Sequence, residues 1–154
     1  MNSLLKKQRT KRLYTIGSTK PLSALALHLE AERDIQHSSK LWRNMKNEAK
    51  ANGQTVQKNS DDESHHVVAA RAPDAHIARR VIFAVGIGVN DARNGVNLQR
   101  AVHRPIHTEL YYVEVNARLL ATDNALRTAS LTAKETGIGQ ELRAMAQEIE
   151  NGTF

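Results

Sequence analysis

A chain of 154 residues is long enough for one domain with one modest core, and a composition that is 40% hydrophobic but only 4% aromatic builds that core from Leu, Ile, Val and Ala, which favours helices. The absence of cysteine excludes disulfides, thiolate metal sites and Cys nucleophiles, and no apolar run is long enough to span a bilayer. The formal net charge of +6 is uneven: residues 1–60 hold 12 Lys/Arg against 4 Asp/Glu, and residues 61–154 hold 10 against 12, so a nucleic acid or an acidic protein would meet the N-terminal part.

Residues 1–20 are basic and aperiodic and read as a flexible arm carrying Lys6, Lys7, Arg9, Lys11, Arg12 and Lys20; they contain no apolar stretch of the kind a cleavable export signal needs. Residues 21–60 form a second region. Leu25, Leu29, Ile35, Leu41, Trp42 and Met45 recur at imperfect helical spacing, as one long helix or two that break near Ser38 and Ser39. A Gly/Asn/Ser-rich linker over 52–63 follows, and residues 61–154 form the main domain.

That domain opens with "HHVVAA", a short β-branched strand. A helix is expected next, with Asp74 as its N-cap, Ile77, Val81 and Val85 on its apolar face and Gly86 as its stop. Asn94-Gly95 is the strongest tight-hairpin signal in the chain. A helix from about Pro105 follows, with Leu110, Val113, Ala117 and Leu120 as its buried stripe. Thr132 and Glu135 make a capping box, Gly137 to Gly139 a break, and Leu142, Met145 and Ile149 a last apolar face. The fold class expected is α+β and mostly helical.

Four of the seven histidines lie at marked places: His65 and His66 at the strand, His103 and His107 at the mouth of the following helix. Neutral imidazoles suit zinc, nickel and related divalent ions; three of them with open positions make a catalytic site, and a fourth is suited to act as a base near neutral pH. Pro105 keeps His103 and His107 from sharing one unbroken helix, which places His103 on a preceding turn. His28, His37 and His76 read as ordinary surface or packing residues, Tyr111 and Tyr112 as packing residues, and Asp61, Asp62 and Glu63 as solvated linker carboxylates.

The ordered combination "SHHVVAA", "NDARNGVNLQRAVHRPIHTELYYVEV" resembles the AHH nuclease family of the HNH/endonuclease VII superfamily over residues 64–116, with Ser64 where the family has Ala or Gly. The resemblance implies a ββα-metal (His-Me finger) core in which His65, His103 and His107 hold one divalent ion (Zn, Mg, Mn or Ni) and His66 is the general base. Asn97, with Asn94 as the other candidate, would hold His66 in orientation, and Arg100 and Arg104 would meet phosphates. It further implies a low-specificity DNA endonuclease, with RNA left open as a substrate, deployed as an antibacterial toxin. Such a toxin would reach the cytoplasm of a target cell by a signal-peptide-independent route such as type VI secretion. An acidic immunity protein and a secretion adaptor would be its partners, without membrane insertion. The rival readings are a non-catalytic nucleic-acid or protein binding module with a histidine metal site, and an intracellular phage or restriction-type HNH enzyme that stays in its own cytoplasm.

Overall fold

The computed structural model describes residues 28–29 and 37–154; the basic arm, with Lys6, Lys7, Arg9, Lys11 and Arg12, and most of the stretch before residue 37 that was expected to be helical lie outside the described residues. Helix α1 spans His37–Ala51 with Ser38 and Ser39 near its start, and the expected break beside that pair falls at the edge of the described residues. Leu41 is its fully buried anchor. The helix ends as Gly53 adopts a φ of 70°, which lets Gln54 donate back to the Ala49 carbonyl at 2.8 Å.

Strand β1 spans Asp62–His66 and pairs antiparallel with β2, Gly95–Gln99, in a two-stranded sheet whose register sets Ser64 opposite Asn97 and His66 opposite Gly95. The strand therefore takes in Asp62 and Glu63, two of the three carboxylates expected in the linker, and stops where "VVAA" was expected to continue it. Beyond it Val67 N–H still donates to the Asn94 carbonyl, the Asn94 side chain takes the Val68 N–H, and both valines are buried in the core. The segment between the strands, residues 67–94, holds a 3-10 turn at Pro73–Ala75 and helix α2, His76–Ala84.

Asp74 does not cap α2. The Ala78 N–H at the start of that helix donates to Asn116 Oδ1 of a later helix, and Asn116 Nδ2 donates to the Asp74 carbonyl. A side chain from across the fold thus satisfies one of the donors that a local cap would have served. Gly86, with φ 83°, stops the element as expected.

Asn94-Gly95 is not the centre of a tight hairpin. Asn94 closes a second 3-10 turn, Ala92–Asn94, and is fully buried, its amide accepting from Val68 N and donating to the carbonyls of Val68 and Val89. Gly95 is extended, with φ −127°. A Cβ there would approach Leu41 Cδ1 and Met45 Sδ to 2.7 Å, so close packing of α1 on the sheet is what this glycine permits.

Three helices follow: α3, Arg100–Ile106; α4, Glu109–Ala125, capped by Thr108; and α5, Leu131–Asn151. Pro105 lies in the last turn of α3, not in the first turn of α4. The buried stripe of α4 is Tyr111, Val115 and Leu119, while Leu110, Val113 and Leu120 are exposed. Helix α4 is apolar on more than one face, so periodicity alone could not choose between them. Helix α5 runs unbroken through Gly137 and Gly139 and is capped by Ser130, whose Oγ accepts from Ala133 N, while Glu135 pairs with Arg93. A Cβ at Gly137 would stand 2.4 Å from Leu126 Cδ1, so this glycine serves a close approach between helices and does not end one.

The architecture is mostly helical with one small antiparallel sheet followed by a helix, the ββα arrangement of an α+β fold. Its core joins Val67, Val68, Ile82, Phe83, Ile87, Leu98, Leu119, Ile138, Leu142, Met145 and Ile149. Among the described residues no helix is long and apolar enough to cross a membrane.

Candidate metal centre

Side chains alternate along β1, so Glu63 and His65 share one face of the strand while Ser64 and His66 share the other. Helix α3 packs on this sheet and brings His103 over the Glu63/His65 face. Contrary to the expectation that Pro105 puts His103 on a preceding turn, His103 lies within α3. The helix is short and ends one residue beyond the proline, at Ile106, and His107 follows in a non-helical conformation. The chain reversal between α3 and α4 returns His107 to His103, their Nε2 atoms 3.1 Å apart.

His65, His103 and His107 each offer one ring nitrogen within 4.8 Å of the others, a group that could hold a metal ion. The opposite nitrogen of each ring has an oxygen partner. Tyr111 Oη donates to the Val67 carbonyl at 2.7 Å, which leaves it to accept from His65 Nε2–H at 2.9 Å. His103 Nδ1–H donates to Glu63 Oε2 at 2.6 Å, and His107 Nδ1 meets Tyr112 Oη at 3.1 Å. Such outer partners fix the tautomer and the ring orientation that metal-ligating histidines need. The inner nitrogens are then His65 Nδ1, His103 Nε2 and His107 Nε2.

His65 Nδ1 is buried without a hydrogen-bond partner, an arrangement that costs free energy unless a cation or a proton uses the lone pair. Ligand nitrogens about 2.0–2.1 Å from a tetrahedral ion stand about 3.3 Å from one another, close to the 3.1 Å seen between His103 and His107. The donor set fits a divalent ion.

Burial, with added repulsion from His107, His103 and His66, pushes the His65 imidazole down from 6.5 to about 2. Burial and His103 lower His107 as well. Both rings are held in the neutral form that binds metal. Glu63 is lowered, first by its hydrogen bond to His103 and further by the Arg100 guanidinium, and stays a carboxylate acceptor.

A depressed histidine also makes stability depend on pH. The unfolded ring takes up a proton below about 6.5 and the folded His65 does not until about 2, so stability is full above 6.5 and is lost as pH falls through that window. By pH 5, about 1.5 units below the unfolded value, this one residue removes about 2 kcal/mol. Thermal unfolding of the metal-free protein at pH 7.5 and pH 5 should show a clearly lower midpoint at pH 5; equal midpoints would contradict the buried neutral His65.

On the other face of β1, Asn90 Oδ1 lies 3.1 Å from His66 Nε2. Asn97, expected to hold His66, accepts from Ser64 Oγ at 3.0 Å across the register pair, and Asn94 ties Val68 to Val89. Lys58 Nζ reaches the same Ser64 hydroxyl at 3.1 Å. Arg100 Nε donates to Glu63 Oε1, and Arg100 and Arg104 line a surface cleft of about 730 Å³ together with Asp61, Asp62 and Gln99. His76 bonds the Pro73 carbonyl, and His28 is exposed; neither belongs to the cluster.

From the sequence alone Glu63 reads as a solvated linker carboxylate and Tyr111 and Tyr112 as packing residues, and Asn90 is not singled out. Glu63 was recoverable from strand periodicity, which sets it two residues before His65 on one face. The two tyrosines stand four and five residues beyond His107, but only the chain reversal at Thr108 brings their hydroxyls back to His65 and His107.

A family-model comparison matches residues 46–149 to AHH, a nuclease family of the HNH/ENDO VII superfamily with conserved AHH. Comparisons with curated proteins and with solved structures gave no match. The matched span is more than half of the chain and contains both histidine pairs, the sheet and all four helices from α2 onward in whole or nearly so: the chain belongs to the AHH family of nucleases, hydrolases acting on nucleic acid.

Proposed function

We propose that the protein is a metal-dependent endonuclease that hydrolyses phosphodiester bonds of DNA with low sequence specificity, using His65, His103 and His107 as metal ligands and His66 as general base. The observation that carries this reading is the convergence of three imidazole nitrogens within 4.8 Å, each ring held from behind by an oxygen, on a strand whose next residue is a fourth histidine. His65, His103 and His107 would hold a divalent ion, which would supply positive charge against the developing phosphate and the leaving 3′-oxygen. An all-imidazole donor set suits zinc or nickel better than magnesium or manganese, which favour oxygen ligands.

With its Nε2–H donated to Asn90, His66 keeps a lone pair on Nδ1. That nitrogen takes a proton from water as the water oxygen bonds to phosphorus; the bond from phosphorus to the 3′-oxygen breaks, and the 3′-oxygen takes a proton from solvent. Arg104, exposed at the cleft beside α3, is suited to a flanking phosphate. Supercoiled plasmid incubated with the protein and added Zn²⁺, Mn²⁺ or Ni²⁺ should be nicked and then linearised, and a chelator should stop it. Intact plasmid under all of these ions, with RNA cleaved in parallel, would replace DNA by RNA as substrate. Intact plasmid and intact RNA would leave the non-catalytic binding module.

The basic arm is proposed to supply non-specific affinity. Each phosphate it neutralises releases counterions, so log affinity for duplex DNA should fall with log salt by about 0.9 per contact. Removing residues 1–20, with Lys6, Lys7, Arg9, Lys11, Arg12 and Lys20, should flatten that slope while turnover at saturating DNA changes little. An unchanged slope would assign the arm to a protein partner. The toxin reading, with delivery into a competitor cell and an acidic immunity protein in the producer, is proposed on the family resemblance and on the +6 net charge, which suits an acidic inhibitor. A small acidic open reading frame beside the gene, whose product blocks cleavage, is its test.

A further inference from the structure

His66 needs more than a place on β1. An imidazole that takes a proton from water must present one fixed nitrogen, and rotation about its side-chain bonds or a change of tautomer would remove it. The chain supplies a restraint from two directions. Asn90 stands in the loop between α2 and the Ala92–Asn94 turn, is only 6% exposed, and sets its amide oxygen 3.1 Å from His66 Nε2. The loop itself is pinned on both sides of that residue. Asn44 of α1 donates its Nδ2–H to the Asn90 carbonyl at 2.6 Å. On the other side, Asp91 donates its N–H to the Gly88 carbonyl, and its carboxylate holds Arg93, which also reaches Glu135 of α5.

We propose that Asn90 is the positioning residue for His66, fixing its Nε2–H tautomer, and that Asn44 of helix α1 braces Asn90 from a position outside the span matched to the family. The matched span begins at residue 46, so Asn44 lies just before it. Helix α1 is thereby part of the working site. This rests on the nuclease reading for its effect on turnover, but not for the contact itself.

The test uses the full chain loaded with zinc, which is diamagnetic, and compares the parent with Asn90→Ala and Asn44→Ala. Long-range ¹H–¹⁵N correlation spectra at about pH 8.5, where an ordinary imidazole is neutral, report which His66 nitrogen carries the proton. The parent should show His66 as the Nε2–H tautomer, and Asn90→Ala should show a mixture of the two. In cleavage assays Asn90→Ala should lose about 10- to 100-fold in kcat, the range usual for an outer partner that orients a working imidazole, with KM and zinc affinity within about twofold of the parent. Asn44→Ala should lose less, in kcat alone.

An Nδ1–H tautomer in the parent, an unchanged tautomer in Asn90→Ala, or an unchanged kcat in Asn90→Ala would each overturn the assignment to Asn90. An unchanged kcat in Asn44→Ala would remove the brace. If Asn90→Ala loses its folded spectrum, the tautomer of the parent decides the Asn90 contact, and Asn44→Ala, which leaves the buried amide in place, decides the brace. The tautomer measurement needs no substrate, so it decides the Asn90 contact even where cleavage fails for reasons that belong to the nuclease reading.

Discussion

His66→Ala is expected to lose DNA cleavage by about 10²- to 10⁴-fold, the usual worth of a general base, while divalent metal affinity stays within a few fold of the parent. The separation of the two effects follows from the strand. His66 points to the face of β1 opposite His65, towards Asn90, and is not among the three residues whose nitrogens converge. Its removal deletes a proton acceptor and leaves the cluster, with Tyr111, Glu63 and Tyr112 behind it, as it was. Single-turnover cleavage and calorimetric metal titration measure the two quantities independently. Parental cleavage by His66→Ala would end its assignment as base, and a matching collapse of metal affinity would move it into the ligand set.

The second large effect is expected at the cluster. Replacing His107 by Ala removes one of three imidazole donors, and should lower divalent metal affinity by roughly 100-fold or more and cleavage with it, with partial rescue by excess metal. His107 is the cleanest of the three to remove because it is exposed and lies between helices, so the fold does not depend on it. His65 is fully buried against Tyr111, and His65→Ala should show the same loss of metal together with a cavity cost in stability. His103→Ala decides a separate point. Its ring is placed with its Nδ1 on Glu63 and its Nε2 beside that of His107, so it should behave as His107→Ala does. Metal titrations that leave His103→Ala unchanged while His107→Ala fails would reduce the protein ligands to two.

The local signals that proved informative were those with a backbone reason. Gly86 stops α2 because only a residue without Cβ takes that positive φ freely, and Leu142, Met145 and Ile149 are buried on α5 as their spacing requires. The signals that misled were those with two physical explanations. A glycine within a helix can end it or admit a neighbour, and Gly137 admits Leu126; an Asn-Gly pair can turn a hairpin or tie a buried loop to a packed strand, and Asn94-Gly95 does the second. A capping residue can be local or brought from elsewhere, and Asn116 takes the place expected for Asp74.

The sequence by itself determined the family, the two histidine pairs and their order along the chain, because residue identity and spacing are local properties: adjacent residues on a strand face opposite ways, and a motif is read without knowing its surroundings. It also determined the charge asymmetry, since charge is additive. The resemblance implied the grouping of His65, His103 and His107, but only the tertiary structure decided how they converge across a separation of some forty residues, which α4 face is buried, and which asparagine of three stands at His66. Convergence depends on helix α3 ending within one residue of Pro105 and on Thr108 starting the next helix in a new direction. The choice of asparagine depends on a loop pinned at once by α1 and α5. Those are packing outcomes, set by which apolar faces bury one another, and no periodicity along the chain encodes them.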